Sequence, residues 1–114
     1  MSFFDSEVVR AEMTEIQELQ EDAYRNVFTF STMDKEKKLE HVEMLERLLD
    51  KQKILYARLS LSDDPEAVEM KERILDSAKT MGLPPNVDMN VIFNNMSKMI
   101  NVMKDQIDKS GSDL

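Results

Sequence analysis

The imidazole side chain is the first candidate for chemistry, because general acid-base catalysis most often uses histidine. His41 is the single histidine, and it lies between Glu40 and Val42 in a segment with a helical pattern. No serine in a strained turn accompanies it as a nucleophile. A carboxylate di-metal site in a helical bundle places a glutamate three residues before a histidine, and Lys38 occupies that position. We therefore interpret His41 as a half-exposed histidine on a helix surface.

Carboxylates are the second candidate, since clustered acids bind metal ions or share a proton. Three glutamate pairs project from single helix faces: Glu12 with Glu15, Glu40 with Glu43, and Glu69 with Glu72. The pattern gives them no buried surroundings, so we interpret them as solvated charge. The run at residues 63–66 lacks the alternating ligands and the central glycine of a calcium loop, and it fits a helix cap. With no cysteine either, we expect no metal, no cofactor and no enzymatic activity.

The balance of charge argues against nucleic acid as a partner. The 114 residues include 23 acidic and 15 basic side chains, for a net charge of -8, whereas phosphate binding needs clustered lysine and arginine. Residues 1–30 hold seven acids and two bases, and residues 31–61 hold six acids and seven bases, so we expect these segments to lie together. No apolar run reaches the roughly 20 residues of a membrane span, and no signal peptide is visible. We expect a cytoplasmic protein.

Apolar residues recur at spacings of three and four along most of the chain, which predicts an all-α fold. The pattern predicts four helices near residues 6–30, 35–61, 65–81 and 88–108. The first two are long, and the few residues between them predict an antiparallel hairpin. The length fits one helical domain, residues 1–109, followed by a flexible tail at residues 110–114.

Short polar residues, proline and glycine mark the helix boundaries. Asp5 or Ser6 can cap the first helix, whose apolar stripe is expected to run from Val9 to Phe30. Phe3 and Phe4 precede this cap and form either a hydrophobic staple or a docking tip. The other boundary signals are Asp34 before the second helix, Pro65 at the start of the third, Gly82 at its end, and Asn86 or Asp88 before the fourth.

Methionine is the most informative residue type, with ten in the chain and four of them between Met89 and Met103. Its flexible side chain suits irregular cores and also surfaces that accept a partner helix. Both interpretations stay open for the fourth helix, and the broad apolar face of the second helix adds to the candidate surface. The candidate partner-binding residues are Phe3, Phe4, Leu48, Leu55, Tyr56, Met89, Phe93, Met96 and Met103.

Two segments carry a resemblance to a known family. The string MSFFDSEVV at residues 1–9 and the string KEKKLEHVEMLERLLDKQKILYARLSLSDD at residues 35–64 resemble a family of short uncharacterised proteins of cyanobacteria and their phages. The likeness includes the FFDSE opening and the methionine-rich fourth helix, and it extends to about residue 108. The family is a domain of unknown function. The resemblance implies an all-helical intracellular protein and brings no catalytic residue.

These observations favour a small non-enzymatic interaction or regulatory protein of a cyanobacterium or cyanophage. It would bind a host or phage protein through an apolar helix face, and the alternative is a phage structural or assembly protein. We also expect a homodimer, because the apolar arc of the second helix is wider than one neighbour can cover. A monomer whose fourth helix folds back over the hairpin is the competing arrangement.

Overall fold

The computed structural model describes residues 3–80, 82–83 and 88–112, and within these the chain forms four α-helices and no strand. The helices are α1 at Glu7–Val27, α2 at Lys35–Leu61, α3 at Pro65–Thr80 and α4 at Met89–Ser112. Short 3₁₀ turns occur at Phe3–Asp5 and Phe30–Thr32. The all-α prediction is confirmed. Residues 1–2, Met81, residues 84–87 and residues 113–114 lie outside the described residues, and with them the predicted end of the third helix and the boundary signal at Asn86.

The predicted cap residues begin the helices. Ser6 caps α1, since its hydroxyl accepts a hydrogen bond from the Val9 amide. The Asp34 carboxylate accepts from the Lys37 amide at 2.9 Å, where α2 begins. Asp88 accepts from the amide two residues later at 2.9 Å, which places the start of α4 at that aspartate. These side chains satisfy amide groups that have no partner within the first helical turn.

The end of α3 requires glycine. Gly82 has a φ angle of 95°, in the left-handed region that side chains with a Cβ atom rarely adopt. Its amide donates to the Lys79 carbonyl at 3.0 Å, and the Leu83 amide donates to the Ala78 carbonyl at 3.1 Å. This pair of bonds is the Schellman arrangement, which closes the last free carbonyls of a helix.

The first helix ends earlier than the pattern predicts, at Val27 instead of residue 30. The Thr29 amide and hydroxyl both donate to the Asn26 carbonyl, each at 3.3 Å, and this tightens the chain into a turn. Phe30 therefore leaves the stripe of α1 and packs against His41, with 5.3 Å between the ring centres. Val27, expected on the buried stripe, is exposed.

The second helix is the centre of the fold, because α1, α3 and α4 all pack against it. The Arg58 Nε atom lies 3.1 Å from Glu12, and Lys51 pairs with Glu15, so α1 runs antiparallel to α2. This confirms the predicted hairpin and the predicted attraction between its acidic and basic segments. The fourth helix folds back along α2, which is the path expected of the monomeric arrangement.

Two groups of buried residues hold the helices together. The first lies between α2 and α4 and is joined by the end of α3, with the members Val42, Leu49, Ala78, Met89, Phe93, Ile100 and Ile107. The second lies between α1, α3 and the last turns of α2, with the members Val9, Ile16, Leu55, Leu59 and Ala67. The resulting molecule measures 56 × 32 × 21 Å, so it is only about two helix layers thick.

Candidate interaction surface on the fourth helix

His41 is buried, with 8% of its surface exposed, so the prediction of a half-exposed histidine is wrong. The Phe30 ring covers it, since the chain tightens after Asn26 instead of continuing α1. Burial lowers the pKa of His41, because an apolar environment disfavours the charged imidazolium. Its Nδ1 atom has no hydrogen-bond partner within the described part of the chain. A buried neutral imidazole in this setting packs and is out of reach of a substrate.

The glutamate pairs do not form a metal site. Across residues 3–80, 82–83 and 88–112, no group of three or more histidine or carboxylate side chains is placed to hold a metal ion. Glu12 and Glu15 pair with basic residues of α2, and Glu69 pairs with Arg73 at 2.5 Å on its own helix. Glu12 and Glu15 therefore join α1 to α2, where we had expected solvated charge, whereas Glu69 stays exposed on α3 beside Arg73.

The N-terminal phenylalanines pack within the chain. Phe3 and Phe4 contact each other edge to face, with 5.2 Å between ring centres, and pack on the group of buried residues that includes Val9. The Phe3 amide donates to the Asp64 carboxylate at 2.5 Å, and the other oxygen of that carboxylate accepts from the Glu66 amide at the start of α3. Asp64 thus fixes both the N-terminal turn and α3. The staple interpretation fits this geometry better than a docking tip does.

The other predicted partner-binding residues divide between core and surface. Leu55, Met89 and Phe93 are buried in the chain's own core, so a partner could reach them only if the core opened. Leu48, Tyr56 and Met103 are partly buried, and the Tyr56 ring lies edge to face with Phe93 at 5.9 Å. Met96 is the exposed member, at 41%.

The fourth helix has two apolar stripes. Phe93, Ile100 and Ile107 follow each other at seven-residue spacing and are buried against α2. Beside them, Ile92, Met96, Met99 and Met103 follow at spacings of four, three and four, and we call these four residues the methionine face. Ile92 and Met103 are partly buried, whereas Met99 is 66% exposed. The methionine face therefore borders the core and continues into solvent.

Met99 was expected on the apolar stripe of the fourth helix but not among the partner-binding residues, and it is the most exposed of the four. Its position one residue before Ile100 turns it about 100° away from the stripe that packs on α2. It lies three residues after Met96 and four before Met103, so it completes a row with them. A signal for this was present in the sequence, since Phe93, Ile100 and Ile107 already supply the seven-residue stripe that one neighbouring helix needs.

The two sides of the α2–α4 contact differ in polarity. On one side, the Lys53 ammonium donates to the Ser97 hydroxyl at 3.0 Å, and Lys104 pairs with Glu46. This pair raises the pKa of Lys104, because the hydrogen bond that the ammonium donates to the Glu46 carboxylate favours the charged form. Polar bonds thus join the helices along this side, and the methionine face lies on the other.

The side of the methionine face is only partly covered. Along it, α3 covers the later turns of α2, where the Lys71 ammonium lies 5.8 Å from the centre of the Tyr56 ring. Towards the start of α2, Leu45 and Leu48 remain half-buried. Beyond them an open cavity of about 350 Å³ is lined by Phe30, Lys38, Met103, Gln106 and Ile107. The methionine face therefore meets this cavity at Met103.

A second exposed apolar patch lies near the turn between α1 and α2, where Tyr24, Val27 and Phe28 are exposed. Charged residues surround it, including the pair of Arg25 with Asp22 and the lysines that open α2. This patch therefore lies at a turn among charged side chains of both helices, whereas the methionine face lies in a stretch of α4 whose single charged residue is Lys98.

The family of the chain follows from its sequence as a whole. The sequence model of a family described as a domain of unknown function, DUF1825, matches residues 1–107. This chain belongs to that family. No curated protein and no solved structure matches it. Membership in the DUF1825 family confirms the resemblance to a domain of unknown function. The geometry described above is therefore the basis for proposing a function.

None of the described helices of this DUF1825 chain has both the length and the hydropathy needed to cross a membrane.

Proposed function

We propose that this DUF1825 chain is a non-catalytic interaction protein that binds another protein through the methionine face. The proposal rests on one observation above all: Met99 lies 66% exposed in the middle of a row of apolar side chains. Scattered surface methionines need no explanation, but a continuous row of them that ends at an open cavity is typical of a surface that accepts a partner.

The distribution of charge supports this proposal. In the whole chain 33% of residues are charged, yet between residues 89 and 103 Lys98 is the single charged residue. Four asparagines are exposed there: Asn90, Asn94, Asn95 and Asn101. The buried centres of protein interfaces are depleted of charged residues and enriched in methionine. The composition of α4 fits such a centre better than it fits an ordinary solvated helix.

The groups that could perform chemistry support a non-catalytic role as well. His41 is buried beneath Phe30, and Glu12 and Glu15 are occupied in ion pairs between α1 and α2. A catalytic site needs a base or nucleophile beside a concave pocket where a reacting atom can sit. The open cavity at Met103 is lined mostly by apolar side chains, together with Lys38 and Gln106, and it suits a side chain of a partner more than a reacting substrate.

The resemblance to proteins of cyanobacteria and their phages suggests where the partner is to be found. We place the protein in the cytoplasm of a cyanobacterium, as a host protein or one made there by a phage. A chain with no cysteine fits that reducing compartment.

Affinity capture with matched variants tests this function. Tagged wild-type protein, Met99→Glu and Asn94→Glu are each passed through a cyanobacterial lysate, and bound proteins are identified by mass spectrometry. Both variants add one carboxylate at an exposed position of α4, but Asn94 lies on a different side of the helix. We expect Met99→Glu to lose a bound protein that the wild type and Asn94→Glu both retain. If all three retain the same proteins, the methionine face binds no other protein of that lysate.

A further inference from the structure

We infer that the partner of the methionine face is a second copy of this chain, packed face to face so that Met99 lies nearest the two-fold axis. This inference rests on the proposed function and names the partner of the same surface. Three observations lead to it: the accessible area of the molecule, the distribution of charge, and the length of the exposed row.

The chain exposes more surface than an isolated domain of its mass. Its accessible area is 8186 Å², while folded monomers of 13.3 kDa expose roughly 6,500 Å². Its radius of gyration is 16.5 Å, against roughly 13 Å for a compact chain of this length. The excess of area is roughly 1,700 Å², about twice the roughly 800 Å² that each partner buries in a stable dimer. A second copy can therefore be accommodated on surface that a compact monomer would not expose.

Charge selects the face through which two copies can meet. Each copy has a net charge of -8, so most orientations bring carboxylates towards carboxylates. The methionine face and its neighbours Asn95 and Val102 hold no charged side chain. Two such faces can pack together without bringing like charges close to each other. The contact also buries no charged side chain that would need an ion-pair partner. A basic partner would instead be drawn to the carboxylates of α1, away from this face.

The geometry of the row suits a self-complementary contact. From Ile92 to Met103 it extends over about 17 Å of helix, or three turns. In a two-fold contact the same patch occurs on both partners, and the residue nearest the axis meets its own equivalent. Met99 is the most exposed member and lies near the middle of α4. Flexible methionine side chains interdigitate without demanding one fixed shape.

The mass in solution is the first test. Light scattering and sedimentation at micromolar concentration should give the wild type twice the 13.3 kDa of one chain. Met99→Glu should weaken self-association by about a hundredfold or more, since two carboxylates would face each other at the axis. Asn94→Glu should remain dimeric. Because Met99 is exposed in the single chain, the helical circular dichroism of Met99→Glu should be unchanged, which separates lost assembly from lost folding.

A cysteine placed at the axis is the second test. The natural chain has no cysteine, so one introduced thiol reports on one position. Met99→Cys should form a disulfide-linked dimer under mild oxidation, because a residue nearest a two-fold axis lies close to its equivalent. Asn94→Cys should stay unlinked under the same conditions. If both variants form the disulfide-linked dimer to the same extent, or if neither forms it, the proposed position of the axis is wrong.

The outcomes also separate this inference from the function on which it rests. A wild-type mass of one chain that does not change with concentration would overturn the dimer. If Met99→Glu nevertheless loses a different protein from the lysate, the interaction function stands and only the partner changes. If the chain is monomeric and the lysate shows no difference between variants, both proposals are wrong.

Discussion

Truncation of one buried leucine measures how firmly α1 and α3 close over the later turns of α2. Leu59 is 1% exposed and belongs to the group of buried residues that includes Val9 and Ala67, so three elements meet at its side chain. Leu59→Ala removes most of that side chain and leaves a cavity. Changes of this kind cost about 3 kcal/mol, within a range of roughly 2.7 to 5.

A matched control lies two residues further along the same helix. Leu61 is 87% exposed, so Leu61→Ala should change the free energy of unfolding by no more than about 0.5 kcal/mol. The two substitutions are chemically identical and sit in the same last turns of α2. Their difference therefore reports burial, with intrinsic helix propensity largely cancelled.

Urea unfolding followed by circular dichroism at one protein concentration gives both values. We expect the midpoint of Leu59→Ala to fall with an unchanged slope, because the surface exposed on unfolding stays nearly the same. Heating should show a melting temperature lower by about 12 °C, at roughly 4 °C per kcal/mol for a domain of this size. A cost below about 1 kcal/mol, or an equal cost at Leu61, would refute the packing of α1 and α3 around this residue.

Three further predictions concern other parts of the molecule. Asp64→Ala removes the acceptor of the Phe3 amide and the cap of α3, so the free energy of unfolding should fall by about 1–2 kcal/mol. Hydrogen exchange of the Phe3 amide should also become faster. The control substitution Asp63→Ala, at an exposed neighbouring position, should have little effect on either measurement. Burial lowers the pKa of His41 in the folded chain, so as the pH falls the unfolded chain takes up a proton at a higher pH than the folded chain does. The free energy of unfolding should therefore decrease as the pH drops below about 6.5. Urea unfolding at pH 7.5 and pH 5 should show a smaller loss of unfolding free energy for His41→Gln than for the wild type. An equal loss in the two proteins would contradict this prediction. Calorimetric titration with zinc, calcium or ATP should show no micromolar binding, and such binding would count against a non-catalytic role.

The starts of α1, α2 and α4 and the end of α3 were predictable because their signals are local, whereas α1 ends three residues before the predicted position and α4 four residues after it. Ser6, Asp34 and Asp88 act within one turn of chain, through bonds that involve amides two or three residues away. Gly82 likewise acts through its own backbone conformation. The pairing of acidic α1 with basic α2 also followed from the sequence, since opposite charge needs no knowledge of exact packing.

The predictions that were wrong concern two features: contacts between residues far apart in the chain, and the path of the chain in the turn between α1 and α2. His41 is buried because the chain tightens after Asn26 and brings Phe30 onto it, and the apolar pattern continues through that turn without a break. Periodicity also identifies apolar rows without saying which neighbour covers each one. Phe93 proved to be core and Met99 surface, although both lie on α4 among apolar residues.

The central position of α2 has a consequence for the protein while it is being made. Its later turns pack against α1 and α3, whereas Val42 and Leu49 in its first half pack with residues of α4. Residues 89–112 need roughly 1–5 s of translation at 5–20 residues per second. During that interval the hairpin can already form on the ribosome, but the side of α2 that awaits α4 is open to water. The nascent chain therefore offers a transient apolar strip to a chaperone, and α4 covers it once that helix has left the ribosome and packed on α2.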